Sequence, residues 1–237
     1  FIGLSLVQAL NVGGTAMVAR YYGAKQYNRI ESVVKHVILL SMLVLAIPLS
    51  ILGLIFTKEI MTLMGAQPDA LQVGTNYFRI IMIGFIFQSL NMSISASLRG
   101  IGDTKTPMRV NLICNFLNVI GNALLIYGLL GFPELGVTGA GISTALSQAV
   151  ACTVLFIFIL SGKSIVKISI REKFKFDNKV MYNLVKIGLP ASLEQMVLRT
   201  GILLFVRIVA GLGTVIYAAH QIALSILGLS FQPGQAF

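Results

Sequence analysis

The sequence predicts an all-α integral membrane protein, and three observations support this fold class. Of the 237 residues, 56% are hydrophobic and only 11% are charged, with a mean hydropathy of +0.87. Soluble domains carry about 25% charged residues, so this chain could not cover its surface with polar groups in water. The apolar residues fall into runs long enough to cross a bilayer, and the charged residues lie between those runs.

Seven apolar runs are candidate transmembrane spans. A span needs roughly 20 apolar residues, and the unpaired backbone of an open sheet is not tolerated in hydrocarbon, so each run is predicted to be a helix. The first and last runs meet the ends of the chain and are predicted to be incomplete. The runs are Phe1–Ala19, Val33–Phe56, Leu71–Leu98, Val110–Leu130, Val137–Leu160, Leu184–Ala210 and Val215–Phe237.

Connections rich in basic residues alternate along the chain with connections that have almost none, so the basic residues lie at one end of the predicted spans. Three connections contain four, three and seven Lys or Arg, whereas the two connections between them contain one and none. The positive-inside rule predicts that the basic connections are cytoplasmic. Because these connections hold 14 of the 18 Lys and Arg, the net charge of +10 indicates a bilayer partner and no nucleic acid. The three connections are residues 20–35, 99–109 and 163–183, the last counted with Lys186.

Residues 163–183 form the longest polar segment, which is basic and mildly amphipathic. Such a segment can be a solvated cytoplasmic linker, a helix lying on anionic lipid, or a hinge between two halves. The first and third interpretations are compatible, and we favour both together.

No sequence motif indicates catalysis. There is no G-x-S-x-G, no H-E-x-x-H, no phosphate loop and no clustered His/Cys set. The two cysteines, Cys114 and Cys152, lie inside apolar runs and are predicted to be small buried side chains. We therefore expect no enzyme and no cofactor, with a membrane-embedded enzyme as the weaker alternative.

Amide and hydroxyl side chains occur inside three neighbouring spans. Asn118 and Asn122 are one helical turn apart on the fourth run, and Asn111 and Asn115 extend the same line. Polar groups are costly in a membrane, so each is a candidate for function, although helix–helix hydrogen bonds are the alternative. Amide oxygens can also ligate Na⁺, here at Asn118 and Asn122. The predicted cation- or substrate-binding residues of these spans are Asn91, Asn118, Asn122, Thr144 and Gln148.

Glu194 is the only acid well inside an apolar run, and it follows Pro190 by four residues. It could take up a proton, ligate Na⁺ or pair with a cationic compound, and we include it among the predicted binding residues. The alternative is an ion pair with Arg199, Arg207 or Lys186. Of the two histidines, His36 is expected to be solvated at the membrane surface, and His220 is expected to be structural.

The connection Leu98–Met108 is predicted to be a tight turn between two spans. Its two glycines permit backbone angles closed to other residues, an Asp or Thr can cap the next helix, and a proline fits the first turn of that helix. The structural residues of this connection are Arg99, Gly100, Gly102, Asp103, Thr104, Lys105 and Pro107.

This connection resembles the R-G-x-G-D-T-K-T-P-M signature of the multidrug and toxic compound extrusion (MATE) family. Other segments resemble the same family in the same order along the whole chain, at residues 19–24, 136–144, 188–195, 218–222 and 231–236. The resemblance implies helices two to eight of a twelve-helix, two-bundle antiporter, and hence an internal fragment. Residues 1–162 would form most of the first bundle (helices two to six), 163–183 the linker, and 184–237 the start of the second (helices seven and eight).

The resemblance also implies a function. Members exchange Na⁺ or H⁺ for outgoing organic, often cationic, compounds across the plasma membrane, and we expect a monomer. In some members the fifth helix carries an Asn and, four residues later, an Asp that handles the cation. Here Asn118 is followed by Asn122, which cannot titrate, and this departure puts a proton role for the helix in doubt. A lipid-linked oligosaccharide flippase of similar architecture is the alternative.

Overall fold

The computed structural model describes residues 2–63, 68–162, 164–166, 168, 176–211, 219–220 and 222–228. Within these residues the chain is helical with no β-strand, which confirms the predicted all-α fold. The helices are α1 (Ile2–Gly23), α2 (Tyr27–Leu40), α3 (Ile47–Ile55), α4 (Thr57–Leu63), α5 (Pro68–Gly100), α6 (Lys105–Tyr127), α7 (Gly136–Leu160) and α8 (Asn178–Gly211).

Five helical stretches are long and apolar enough to cross a membrane, and they match five of the seven predicted spans. The first predicted span is α1, whose 22 residues measure about 33 Å along the axis. The last predicted span, Val215–Phe237, lies mostly outside the described residues. The five stretches are Tyr27–Ile55, Leu71–Gly100, Lys105–Tyr127, Gly136–Leu160 and Asn178–Val206.

A π-helical segment, Ser41–Ala46, joins α2 to α3. There the backbone N–H of Ile47 bonds to the carbonyl of Met42, five residues earlier. Pro48 follows at once, and a proline inside a helix lacks the N–H and crowds the carbonyl four residues before it. The wider π turn accommodates this proline, and such turns are frequent at functional sites.

The helices pack around α5, which lies against α1 on one side and α7 on the other, while α6 packs on α7. The largest buried side chains cluster at the end of the bundle where α5 finishes, and they include Ile30, Ile94, Leu98 and Leu155. By contrast, α6 exposes large apolar side chains such as Phe116, as expected for a surface that meets lipid.

The turn between α5 and α6 has the predicted cap. Asp103 Oδ1 accepts the backbone N–H of Thr106 at 3.0 Å, and Thr104 makes no side-chain cap bond. Gly102 has a positive φ of 85°, as expected for a glycine in a turn. Gly100 has no positive φ, and the prediction was wrong on this point. It is needed for close packing, because a Cβ there would meet Val18 at 2.8 Å.

His36 is fully buried, so the expectation that it is solvated was wrong. Its Nδ1 lies 2.7 Å from the carbonyl of Ser32, and its Nε2 accepts the backbone N–H of Asp177 at 2.9 Å. Asp177 Oδ1 in turn accepts the backbone N–H of Lys179 at the start of α8. Phe176 and Asp177, immediately before α8, contact this histidine, and sequence position alone could not reveal that.

The chain divides into two compact units, residues 1–192 and 193–237. In the first unit the start of α8 packs closely on α1, where a Cβ on Gly13 would lie 3.1 Å from the carbonyl of Leu184. The predicted division into bundles at residues 163–183 stays a prediction.

Candidate functional site

The outer-half cluster, which we name for the orientation predicted from charge, joins α6 to α7 through Asn118, Asn122, Ser143 and Thr144. Asn118 Nδ2 lies 3.3 Å from both Ser143 Oγ and Thr144 Oγ1. Asn122 Nδ2 donates to Asn118 Oδ1 at 3.2 Å, and Ser143 Oγ donates to the backbone carbonyl of Asn118 at 3.0 Å. The three predicted residues Asn118, Asn122 and Thr144 are thus brought together.

The second group, the inner-half cluster, comprises Asn91 and Ser95 of α5, Asn111 of α6 and Gln148 of α7. Asn91 is 5% exposed, and its Nδ2 donates to Asn111 Oδ1 at 3.3 Å and to Gln148 Oε1 at 3.2 Å. Ser95 Oγ donates to Asn91 Oδ1 at 3.3 Å. Asn91 therefore bonds to side chains of two other helices at a single level of the bundle.

Small residues allow α6 and α7 to approach closely enough for these bonds. Gly121 lies against Ser143, and Gly139 lies against the carbonyl of Leu125, so a side chain at either glycine would collide with the facing helix. Small residues at helix contacts are typical of membrane bundles, where packing and interhelical hydrogen bonds hold the helices together. Because Thr144 and Gln148 are one turn apart on α7, the two clusters form a polar stripe along this contact.

The stripe offers neutral oxygen and amide groups. Within the described residues, no group of three His, Cys, Asp or Glu could hold a transition metal. The oxygens of Asn, Ser and Thr suit a hard cation such as Na⁺, a water molecule, or a polar group of a substrate. Asn122 Oδ1 is buried and has no hydrogen-bond partner in the described part of the chain, so it is an acceptor that a ligand can satisfy.

Glu194 lies in the second compact unit. Helix α8 continues through Pro190, and Ser192 Oγ donates to the carbonyl of Gly188 at 2.8 Å. The Glu194 side chain is exposed and forms no ion pair with any described residue. His220, in the same unit, packs its ring 5.3 Å from that of Phe205. The role of Glu194 stays a prediction.

Sequence reasoning missed three buried polar residues, two of which belong to these clusters. Ser143 and Ser95 complete the two clusters, and Asn11 of α1 is a third buried side chain. Serine is common in membrane helices and gives little signal. Asn11, however, lies inside an apolar run, and the rule that singled out Asn91 would have found it.

Comparisons with known proteins agree with this architecture. A family model described as MatE matches residues 1–124. The chain is 30% identical over 244 residues to the probable multidrug resistance protein NorM of Thermotoga maritima, covering 95% of this chain and 48% of that protein. It is 28% identical over 224 residues to the probable multidrug resistance protein YoeA of Bacillus subtilis, covering 94% and 48%.

Solved structures give the same result. A multidrug resistance MATE family transporter of the MOP superfamily in an outward-facing conformation superposes with a TM-score of 0.85 at 27% identity, covering 98% of this chain and 51% of that chain. The chain spans about half the length of the curated relatives it matches.

Proposed function

The chain belongs to the MatE family, and we propose that it forms part of a cation-coupled antiporter that exports organic compounds across the cytoplasmic membrane. Family membership makes it a membrane transport protein. Relatives named as probable multidrug resistance proteins support small organic compounds as the exported substrates, and we propose that these are often cationic. We further propose that the protein works as a monomer.

The observation that carries the proposal is the outer-half cluster. Four neutral oxygen-bearing side chains meet between two membrane-spanning helices, and one of their acceptors, Asn122 Oδ1, has no partner among the described residues. Buried polar groups are almost always satisfied by protein or by a bound molecule, so this acceptor is available to a ligand. An unsatisfied amide oxygen beside other neutral oxygens supports transient binding of a cation or of a hydrated group.

The chemistry of this cluster supports Na⁺ at this position. Amide and hydroxyl oxygens do not titrate, so the cluster can ligate Na⁺ without exchanging protons. We propose that the coupling ion is Na⁺ or H⁺. The neutral oxygens of Asn118 and Asn122 support Na⁺. Coupling of transport to H⁺ would require a titratable group such as Glu194. The carboxylate of Glu194 could also pair with a cationic compound.

Efflux measurements test the proposal. Cells expressing the protein at full length are loaded with a fluorescent cationic dye, and dye loss is followed with Na⁺ present or replaced by choline at constant pH. We expect faster efflux than from cells carrying the empty vector, and slower efflux in choline. Efflux equal to the vector control, with the protein detected in the membrane, would contradict export. Equal efflux rates in Na⁺ and in choline would contradict coupling to Na⁺ but would not contradict export.

A further inference from the structure

A buried amide in the middle of α1 takes no part in either cluster. Asn11 is 4% exposed, and neither its Oδ1 nor its Nδ2 has a hydrogen-bond partner in the described part of the chain. Burying an amide without partners is costly, and buried polar groups in proteins are almost always satisfied by protein or by ordered water. Asn11 therefore requires a ligand.

The neighbours of Asn11 on α1 show which way it faces. Val7, one turn before it, packs in a cluster with Phe85 of α5. Thr15, one turn after it, donates from its Oγ1 to the backbone carbonyl of Ala96 of α5 at 3.0 Å. Residues four apart share a helix face, so Asn11 faces α5 between the levels of Phe85 and Ala96.

The α5 residues at that level include two fully buried serines. Ser89 Oγ has no partner among the described residues. Ser93 Oγ lies 2.9 Å from Ser41 Oγ, at the first residue of the π-helical segment. Three elements therefore bring buried polar side chains to one level, and two of these side chains have unsatisfied atoms.

We infer that Asn11, Ser41, Ser89 and Ser93 form an internal hydration site that binds one or two water molecules. The unsatisfied atoms decide the chemical class of the ligand. Asn11 offers an unpaired donor, Nδ2, next to an unpaired acceptor, Oδ1, so the ligand must both accept and donate hydrogen bonds. A metal cation could satisfy only oxygens and would be repelled by the amide N–H groups. Water satisfies both kinds of group and typically makes about three hydrogen bonds in buried sites.

The π-helical segment fits this assignment. Helix irregularities are often found where a water molecule inserts beside the backbone ladder, and the segment begins at Ser41, beside Ser93. The hydration site is separate from the outer-half cluster, whose residues lie on α6 and α7, and it does not depend on the proposed antiport.

Replacement of Asn11 tests the inference. The Asn11→Leu variant has nearly the same volume and no polar atoms, and Asn115→Leu makes the same change at an exposed position of α6. With water bound, Asn11→Leu removes the donor and the acceptor that Asn11 gives to the water, so its melting temperature in detergent should fall by about 2–4 °C or more relative to Asn115→Leu. A melting temperature equal to or higher than that of Asn115→Leu would show that no water is bound to the Asn11 amide, and would overturn the inference.

A direct measurement covers the case in which Asn11→Leu fails to fold. A structure of the unmodified protein at a resolution that shows ordered water should contain spherical density within about 2.7–3.2 Å of Asn11 Nδ2 and Oδ1. The density should be the same in Na⁺ and in choline. No density at this position, or density that disappears in choline, would overturn the assignment to water.

Discussion

Asn122 Nδ2 donates to Asn118 Oδ1 at 3.2 Å, one turn earlier on the same helix, while the Oδ1 of Asn122 itself has no partner among the described residues. The bond orients the amide of Asn122, because it fixes which atom is the donor and therefore which atom is left free to accept. An acceptor is thus left free one turn along α6 from Asn118, whose Nδ2 contacts the hydroxyls of Ser143 and Thr144 on α7.

The first prediction concerns this acceptor. If Asn122 Oδ1 ligates Na⁺, Asn122→Ala should raise the Na⁺ concentration that gives half-maximal dye efflux by about tenfold, since a bond to a charged group contributes about 1.5 kcal/mol or more. Asn122→Asp keeps an oxygen at the position and should retain Na⁺ dependence. Asn115→Ala, on the exposed face of α6, is the matched control and should leave the Na⁺ dependence unchanged. An unchanged half-maximal concentration in Asn122→Ala would remove this oxygen from the ion site.

The second prediction concerns the bond between Asn91 and Gln148. Asn91→Leu and Gln148→Leu should each lower the free energy of unfolding, and a double-mutant cycle should give a coupling of about 0.6 kcal/mol and at most about 1.7 kcal/mol, as measured for hydrogen bonds in membrane proteins. The readout is unfolding in detergent. The control cycle pairs Asn91→Leu with Thr153→Val, an exposed position of α7 whose hydroxyl bonds only within its own helix. Strict additivity for Asn91 and Gln148 would show that their bond contributes nothing.

The third prediction separates the two glycines of the α5–α6 turn. Gly100→Ala should destabilise the protein by about 1–3 kcal/mol, because the added methyl group overlaps Val18 and the backbone of Thr15. Gly102→Ala meets no atom within 4 Å and should cost about 1–2 kcal/mol through its positive φ alone. Gly23→Ala has open space and no positive φ, and it serves as the control. Thermal unfolding of the three variants would contradict this account if Gly100→Ala behaved like Gly23→Ala.

The fourth prediction tests the orientation drawn from charge. Gln26→Cys and Lys105→Cys lie at exposed positions in the connections predicted to be cytoplasmic, and Glu134→Cys lies at an exposed position between α6 and α7. A membrane-impermeant maleimide should label only Glu134→Cys in intact cells, and should label the other two in inverted vesicles. The native cysteines Cys114 and Cys152 are buried and should give little background. The opposite labelling pattern would contradict the positive-inside assignment.

Much of the candidate site could be predicted because polar residues are rare in membrane spans. Asn91, Asn118, Asn122, Thr144 and Gln148 were all predicted, and all five take part in side-chain bonds between or within α5, α6 and α7. Their ligands and the role of Glu194 remain predictions, because hydrogen bonds among side chains do not identify what those side chains bind.

The sequence by itself determined the fold class, because lipid leaves no alternative to helices for runs of this length and composition. It also determined the turn at Asp103, where local side-chain chemistry decides the backbone. Only the tertiary structure decided the pairings across helices. Asn115 belongs to the same line of asparagines as Asn111 and Asn122 but is exposed, and His36 is buried and contacts Phe176 and Asp177 just before α8. Helical periodicity defines a face, whereas burial depends on which neighbouring element covers that face, and this follows from packing between distant parts of the chain.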